Sequence, residues 1–326
     1  MSYRSGISQE TLQSPRTVAV FGEALIDLFV FDDGRVTAVA GGGPLNVARA
    51  VSRLGVSSLL FCRLSTDIFG RKIGHLMDAD QVSLAFVDRS TLPTPLAIVE
   101  SDRDEPRYTF HLNKTSAFQI GSSETIQRFL SISPSIAAIY IGTLGVVVEP
   151  MAEAIQTLLE EIGAVPIVIL DPNCRPSAVP DPNLYRERLT RLFAYSDVVK
   201  VSVEDLAFIS PGLDADASAN SILKAGPTLI IVTDGSEDVR VYSQGGVRTI
   251  AVPQVEVVDT VGAGDALVGA FLAWWARRGF SRSSLKSIDR VMEAVEYATK
   301  VSSLTCTVRG GEPPTFQEVE QFECEA

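Results

Sequence analysis

Seven consecutive residues, Asp259-Thr260-Val261-Gly262-Ala263-Gly264-Asp265, lead straight into an apolar run over 266–276. The β-branched stretch 255–258 before them reads as a strand. The run after them reads as a buried helix closed by Arg277-Arg278-Gly279, so the turn opens a helix. A helix start carries unpaired N–H groups and the positive end of the dipole, and Gly262, Ala263 and Gly264 leave those groups uncovered for an anion. Asp265, immediately beyond, would repel a phosphate bound there, but it could take the proton of a hydroxyl attacking that phosphate. The pairing points to phosphoryl transfer. Glycine and aspartate also stand at helix starts for capping alone, and for Gly-Ala-Gly-Asp by itself that plainer role is the commoner one.

Further polar residues gather where apolar runs end, and in an open α/β sheet ligands sit beyond the carboxyl ends of the strands. Residues 17–21 form a strand pattern followed by Gly22-Glu23-Ala24-Leu25-Ile26-Asp27, which places Asp27 either to bind hydroxyls or, equally, as a solvated loop carboxylate. Gly41-Gly42-Gly43-Pro44-Leu45-Asn46 opens a helix with Leu45, Ala48, Val51 and Leu54 on one face. Bare backbone at Gly42 and Gly43 lets a ligand approach, and Asn46 can donate and accept toward it. Residues 166–170 run into Asp171-Pro172-Asn173-Cys174-Arg175, 197–201 into Ser202-Val203-Glu204-Asp205, and 228–232 into Thr233-Asp234-Gly235. The planar guanidinium of Arg175 suits charge spread over phosphoryl oxygens, a surface ion pair being the plainer role. Ser202 before acidic residues, like Thr66 or Asp67 before the helix through Met77, is also a good N-cap.

These segments need a scaffold. From Ile136 onward strands and helices alternate, which predicts a doubly wound, mainly parallel α/β sheet. Two stretches break the repeat: residues 28–30 and 35–39 flank Asp32-Asp33-Gly34, and 95–100 and 107–112 flank a polar turn. They predict a small separate β-sheet whose alternation puts Tyr108 and Phe110 on one face and His111 on the other. The expected division is a core over 17–28, 42–94 and 117–326, the small sheet over 29–41 and 95–116, and a disordered polar tail over 1–16.

Composition narrows the partners. The 326 residues carry a net charge of −12, and the basic pairs Arg71-Lys72 and Arg277-Arg278 are isolated, which argues against nucleic acid or an anionic membrane. The four cysteines are far apart and there are only two histidines, so no structural zinc is expected. There is no Gly-Lys-Ser/Thr phosphate loop and no Gly-x-Gly-x-x-Gly fingerprint. The longest apolar run, 137–148, is broken by Gly142, Thr143 and Gly145, and the first residues lack an apolar leader core, so a cytoplasmic protein is expected.

The run Asp259 to Asp265 resembles the second signature of the PfkB, ribokinase-like, carbohydrate kinases. Gly-Gly-x-Pro-x-Asn-Val-Ala with the later Arg-Leu-Gly resembles the first, and Asp-Pro-Asn-x-Arg a further recurrent segment, so the likeness runs from about Thr17 to Pro314. The resemblance implies an ATP-dependent sugar kinase whose small sheet is a lid over the sugar. Asp27, Gly42, Gly43, Asn46, Tyr108, Phe110 and Asn173 would bind the sugar, and Asp265 would be the base. Gly262, Ala263 and Gly264 would form the anion cradle, and Arg175 would face the phosphoryl group. Lys200, Ser202, Thr233, Asp234 and Gly235, with Gly262 and Gly264, would meet the nucleotide. Mg²⁺ would accompany ATP, approached through water by Asp205 or Glu204. The loop at Asp259 and Val261 would hold K⁺ with carbonyls of the tail over 306–314. Two departures stand out: Ser202 and Asp205 occupy an Asn-x-x-Glu pattern, and Val308 occupies an arginine position.

Gly-Glu-Ala-Leu-Ile-Asp, Ser65-Thr66-Asp67 and Asp-Pro-Asn-x-Arg look most like fructokinases, so fructose is the expected substrate, at a primary hydroxyl. Kinases of 2-keto-3-deoxygluconate, ribose or a nucleoside are the alternatives, Arg103, Arg107 and Lys114 being available to an acid sugar. A sugar-binding regulator without catalysis is a further one. An exposed lid face could also pair two copies into a homodimer.

Overall fold

The computed structural model describes residues 17–100, 107–120, 123–163 and 166–322. The tail over 1–16, Arg103 with the rest of the turn 101–106, and Cys324 lie outside them. The chain opens with β1 (Thr17–Phe21), β2 (Leu25–Val30), β3 (Val36–Gly41), α1 (Gly43–Arg53), β4 (Ser58–Phe61), β5 (Arg63–Ser65), α2 (Ile68–Ala79), β6 (Asp88–Ser90), β7 (Leu96–Glu100) and β8 (Arg107–His111). It continues through α3 (Ser123–Ile132), β9 (Ile136–Gly142), α4 (Met151–Glu161), β10 (Ile167–Asp171), α5 (Pro182–Tyr195), β11 (Val198–Ser202), α6 (Val203–Ile209), α7 (Ala215–Lys224) and β12 (Leu229–Thr233). It ends with β13 (Val239–Ser243), β14 (Gly246–Ile250), α8 (Ala263–Arg277), α9 (Ile288–Thr305) and α10 (Phe316–Gln321).

The main sheet has eight strands in the order β14-β13-β12-β11-β10-β9-β1-β4, parallel from β4 to β12 and antiparallel beyond. Strands such as β9 and β10 are buried at every residue, and their continuous apolar runs are what a sheet covered on both faces requires. The chain winds one way from β1 to β4 and the other way from β9 to β12, so the order reverses between β1 and β9. At such a reversal the connecting loops part and leave a crevice.

Helix α8 is buried from Asp265 to Ala276 because α1 and α9 flank it and the sheet lies beneath it. Gly269 permits the close crossing with α1: a Cβ there would stand 2.6 Å from that of Ala50. No helix of the described residues is long and apolar enough to cross a membrane.

The second sheet pairs β3-β2-β7-β8. Its first strand starts at Leu25 rather than 28 and β3 extends to Gly41, so Asp27 sits inside a strand, opposite Val39 and Ala97, and not in a loop after β1. Strands β4 and β5 are separate, β5 pairing with β6. One further reading changes: residues 255–258 are irregular. Pro253 removes a donor there, and Val258 and Asp259 donate instead to the Cys306 carbonyl, at 2.8 and 3.2 Å. The turn before α8 is therefore fastened to the tail rather than hung on a strand.

Candidate active site

The ends of β1, β9, β10 and β11, the lid-side face of β2, β7 and β8, and the start of α8 enclose a cleft of 610 Å³. Strand alternation sets the roof: Leu25, Asp27 and Phe29 of β2, Val99 of β7, and Tyr108 and Phe110 of β8 all face it. The Tyr108 and Phe110 rings stack with centroids 6.0 Å apart, whereas His111 lines a separate crevice. Gly42, Gly43, Asn173, Arg175, Lys200, Ser202, Thr233, Asp259, Val261, Gly262, Gly264 and Asp265 line the rest.

A second cleft of 430 Å³ is lined by Gly235, Val252, Pro253, Leu267, Thr299 and Cys306 among others, an apolar slot between the β12–β13 turn and α9. Thr233, Thr260 and Gly264 line both clefts, so the two meet at the first turn of α8. A ligand lying in the second cleft can meet one in the first where these three residues line both.

Asp265 is 7% exposed, and Asn46 from the first turn of α1 donates its Nδ2 to Oδ2 at 2.9 Å. Burial raises the pKa of Asp265, while the Asn46 bond and the Lys200 and Arg175 charges pull it back down. Asp265 is thus a more basic carboxylate than one in water, held by an amide at one oxygen. Gly262 caps α8 in the left-handed region at φ +75°, its carbonyl accepting the Ala266 N–H at 2.8 Å, and Ser302 of α9 donates to the Ala263 carbonyl at 2.9 Å. Of the three amides expected to be uncovered, that of Ala263 donates to the Thr260 carbonyl at 3.3 Å, while Gly264 lines both clefts at their junction.

The floor is built from backbones that side chains rarely adopt. Asn173 and Thr143 have φ of +39° and +52°, and the Asn173 amide lies 3.5 Å from the Thr143 hydroxyl. A Cβ on Gly43 would stand 2.5 Å from that hydroxyl and 3.1 Å from Asp265 Oδ1, so Gly43 must be bare for α1 to approach the base. Gly43→Ala should therefore cost about 1–3 kcal/mol of stability through overpacking, lowering the melting temperature by a few degrees, and raise the substrate KM as the floor shifts. An unchanged KM would show that the floor yields.

Lys200 lies under Gly264, where a Cβ would meet its Nζ at 2.9 Å, and its Nζ donates to Asp171 Oδ2 at 3.3 Å. Burial works against its charge, but Asp171, Asp205 and Asp265 outweigh it, and Lys200 stays protonated. Arg175 lines the cleft with one guanidinium nitrogen donating to the Asn173 and Cys174 carbonyls, both at 3.1 Å. Asp27 is pushed up to about 6, chiefly by burial, with Arg175 opposing.

Several expected residues stand apart. Asp205 is consumed by structure: Oδ1 accepts the Cys174 N–H at 2.6 Å and Oδ2 the Ser202 N–H at 2.8 Å, closing a capping box on α6. Glu204 is exposed, and neither it nor Asp234 lines either cleft. Among the described residues no group of three or more His, Cys, Asp or Glu is placed to hold a metal directly. Asp67 caps α2 through Gly70 and also holds Thr94, a structural task. Arg107 and Lys114 are exposed and line no part of the cleft.

At the tail, Asp259 accepts from the Val261 and Gly310 amides at 3.0 and 2.9 Å, and a Cβ on Gly311 would meet the Val261 carbonyl at 2.5 Å. Carbonyl and carboxylate oxygens converge there, the donor type an alkali cation takes. Glu23 and Thr143 line the cleft without a role read from the sequence. Thr143 follows β9 as Asn173 follows β10, so the strand-end rule could have found it. Glu23 lies in the segment between β1 and Asp27, but its burial is not a local property.

Residues 15–317 match the model of the pfkB family carbohydrate kinases. A fructokinase of Klebsiella pneumoniae is 34% identical over 267 residues, covering 80% of this chain and 84% of its own length. A fructokinase of Rhizobium leguminosarum bv. trifolii is 30% identical over 256 residues, 77% of each chain. Among solved structures, a fructokinase with bound ATP from Xylella fastidiosa superposes with a TM-score of 0.86 at 26% identity, over 94% of this chain and 97% of that one. With the family match spanning both clefts and the small sheet above them, the chain belongs to the pfkB family of carbohydrate kinases.

Proposed function

We propose that this protein is an ATP-dependent fructokinase, transferring the γ-phosphoryl group of ATP to a hydroxyl of fructose, the primary one being the most accessible nucleophile. The observation that carries this reading is Asp265, buried at the point where two clefts meet beside the bare first turn of α8. Fructose would lie under Tyr108 and Phe110, its hydroxyls held by Asp27, Asn173 and the Gly42–Gly43 backbone. ATP would lie in the second cleft, with Thr233 and Gly235 at its entrance and its γ-phosphate at Gly264. Asp265 accepts the proton as the hydroxyl attacks. The amides of Gly262 and Gly264, with Lys200 and Arg175, would carry the charge that builds on the phosphoryl oxygens. Mg²⁺ would enter with the nucleotide rather than on a protein seat. The oxygens at Asp259 and Val261 would suit K⁺, which would steady the turn below the cradle. The relatives named fructokinase support the choice of sugar.

Of the cations available to an acid sugar, Arg107 and Lys114 lie away from the cleft, and Arg103 lies outside the described residues. ADP release from Mg-ATP should give a kcat/KM on fructose at least about tenfold above 2-keto-3-deoxygluconate, ribose or nucleosides. Silence on every sugar, with binding retained, would instead support a regulator.

A further inference from the structure

Glu23 lies directly after β1 and lines the sugar-side cleft, yet its side chain is wholly buried. Its Oε2 accepts the Gly145 N–H at 3.0 Å, and its Oε1 has no partner. Its backbone is equally confined, because a Cβ on Gly42 would stand 2.9 Å from the Glu23 carbonyl. The titratable groups facing it are Asp265 from α8, Tyr140 from β9 and Cys62 between β4 and β5, and none is a cation. An ionised Glu23 would thus be a buried, half-satisfied charge beside another carboxylate. Protonation relieves both penalties.

We propose that Glu23 is a positioning residue used as a neutral carboxylic acid, anchoring the turn Thr143–Val146 through Gly145 while keeping a second negative charge away from Asp265. The inference rests on Asp265 being the base of the proposed kinase. Glu23 fastens the turn that carries the strained Thr143, whose hydroxyl fills the space beside Gly43 and Asn173. Its proton spares Asp265 a second carboxylate charge at close quarters, so a polyanionic phosphate can approach. Burial pushes the Glu23 carboxyl up to about 8, with its own backbone amide and those of residues 144 and 145 opposing and Asp265 adding to the rise. Above that pH it ionises, one further negative charge appears beside Asp265, and turnover falls.

The test is the pH profile of kcat for the wild type, Glu23→Gln and Glu23→Ala. The wild type should lose activity with an alkaline midpoint of about 8. Glutamine keeps the acceptor for Gly145 and cannot ionise, so its alkaline limb should move up by at least about one pH unit, with neutral turnover well above that of alanine. Alanine should lose at least about tenfold in kcat at every pH, having released the turn. A glutamine variant with the wild-type alkaline midpoint overturns the proposal, as does a folded, fructose-binding glutamine variant no faster than alanine. Infrared difference spectroscopy supplies a readout free of turnover: subtracting Glu23→Gln from the wild type near neutral pH removes the carboxyl signal of Asp171 and Asp27 common to both and should leave a protonated-carboxyl band that vanishes on alkaline titration. If the wild type turns over no sugar, the kinase reading fails, while the infrared band still decides whether Glu23 is neutral.

Discussion

Asp265→Asn should lower kcat by about 10²- to 10⁴-fold while fructose affinity stays within about threefold of the wild type. The variant side chain can still offer an oxygen to the Asn46 amide that now donates to Oδ2 at 2.9 Å, so the floor of the cleft keeps its shape. What it loses is the lone pair that accepts the hydroxyl proton. A free aspartate, with a pKa of about 3.9, is a weak base in water. In a loose phosphoryl-transfer transition state, however, the proton is needed late, and burial has already raised this carboxylate above its ordinary range. The acid limb of kcat should therefore lie above the ordinary aspartate pKa. Steady-state ADP release and calorimetric fructose binding measure the two quantities, and near-normal turnover would remove Asp265 from its role.

Lys200→Met should produce the largest loss of stability, and the loss should depend on pH. The Lys200 and Asp171 side chains are only 6% and 0% exposed, and Asp171 Oδ1 has no partner of its own. Asp171 is pushed up to about 7, first by burial, with Lys200 holding it down against Asp205 and Asp265. A carboxyl with a raised folded pKa contributes stability that is complete below its unfolded pKa and is lost as pH rises through the folded one. Below about pH 5 both proteins hold Asp171 protonated, and the methionine variant should differ little. As pH climbs through about 7 the wild type forms its ion pair. The variant must then keep the proton at growing cost or bury a lone charge, a penalty of about 3–5 kcal/mol at its full extent. Urea midpoints on both sides of neutrality measure it, and a pH-independent gap would contradict this account of the pair. Turnover should fall as well, since Lys200 lies beneath Gly264 at the junction of the clefts.

The sequence by itself determined the alternation of buried strands and helices from Ile136 onward, the separate small sheet, and most residues of the cleft. Those features are local: a continuous apolar run, a glycine turn or a polar cluster at a strand end is written in consecutive residues, and Asn173, Arg175, Ser202 and Asp265 all line the cleft from such clusters. The tertiary structure decided what depends on partners far along the chain. Residues 255–258 have β-branched side chains but no neighbouring strand, and their backbone turns to Cys306 instead. Asp205 reads from its local sequence as a helix cap, and only the fold brings it the Cys174 amide from the end of a different strand. The bond between Asn46 and Asp265 spans 219 positions, and only the packing of α1 on α8 creates it. Ionisation follows the same rule, because desolvation sums over every element packed around a group. Glu23 in its short motif is an ordinary acidic residue, and only the closing of β1, β9 and α8 around it removes the water that would ionise it.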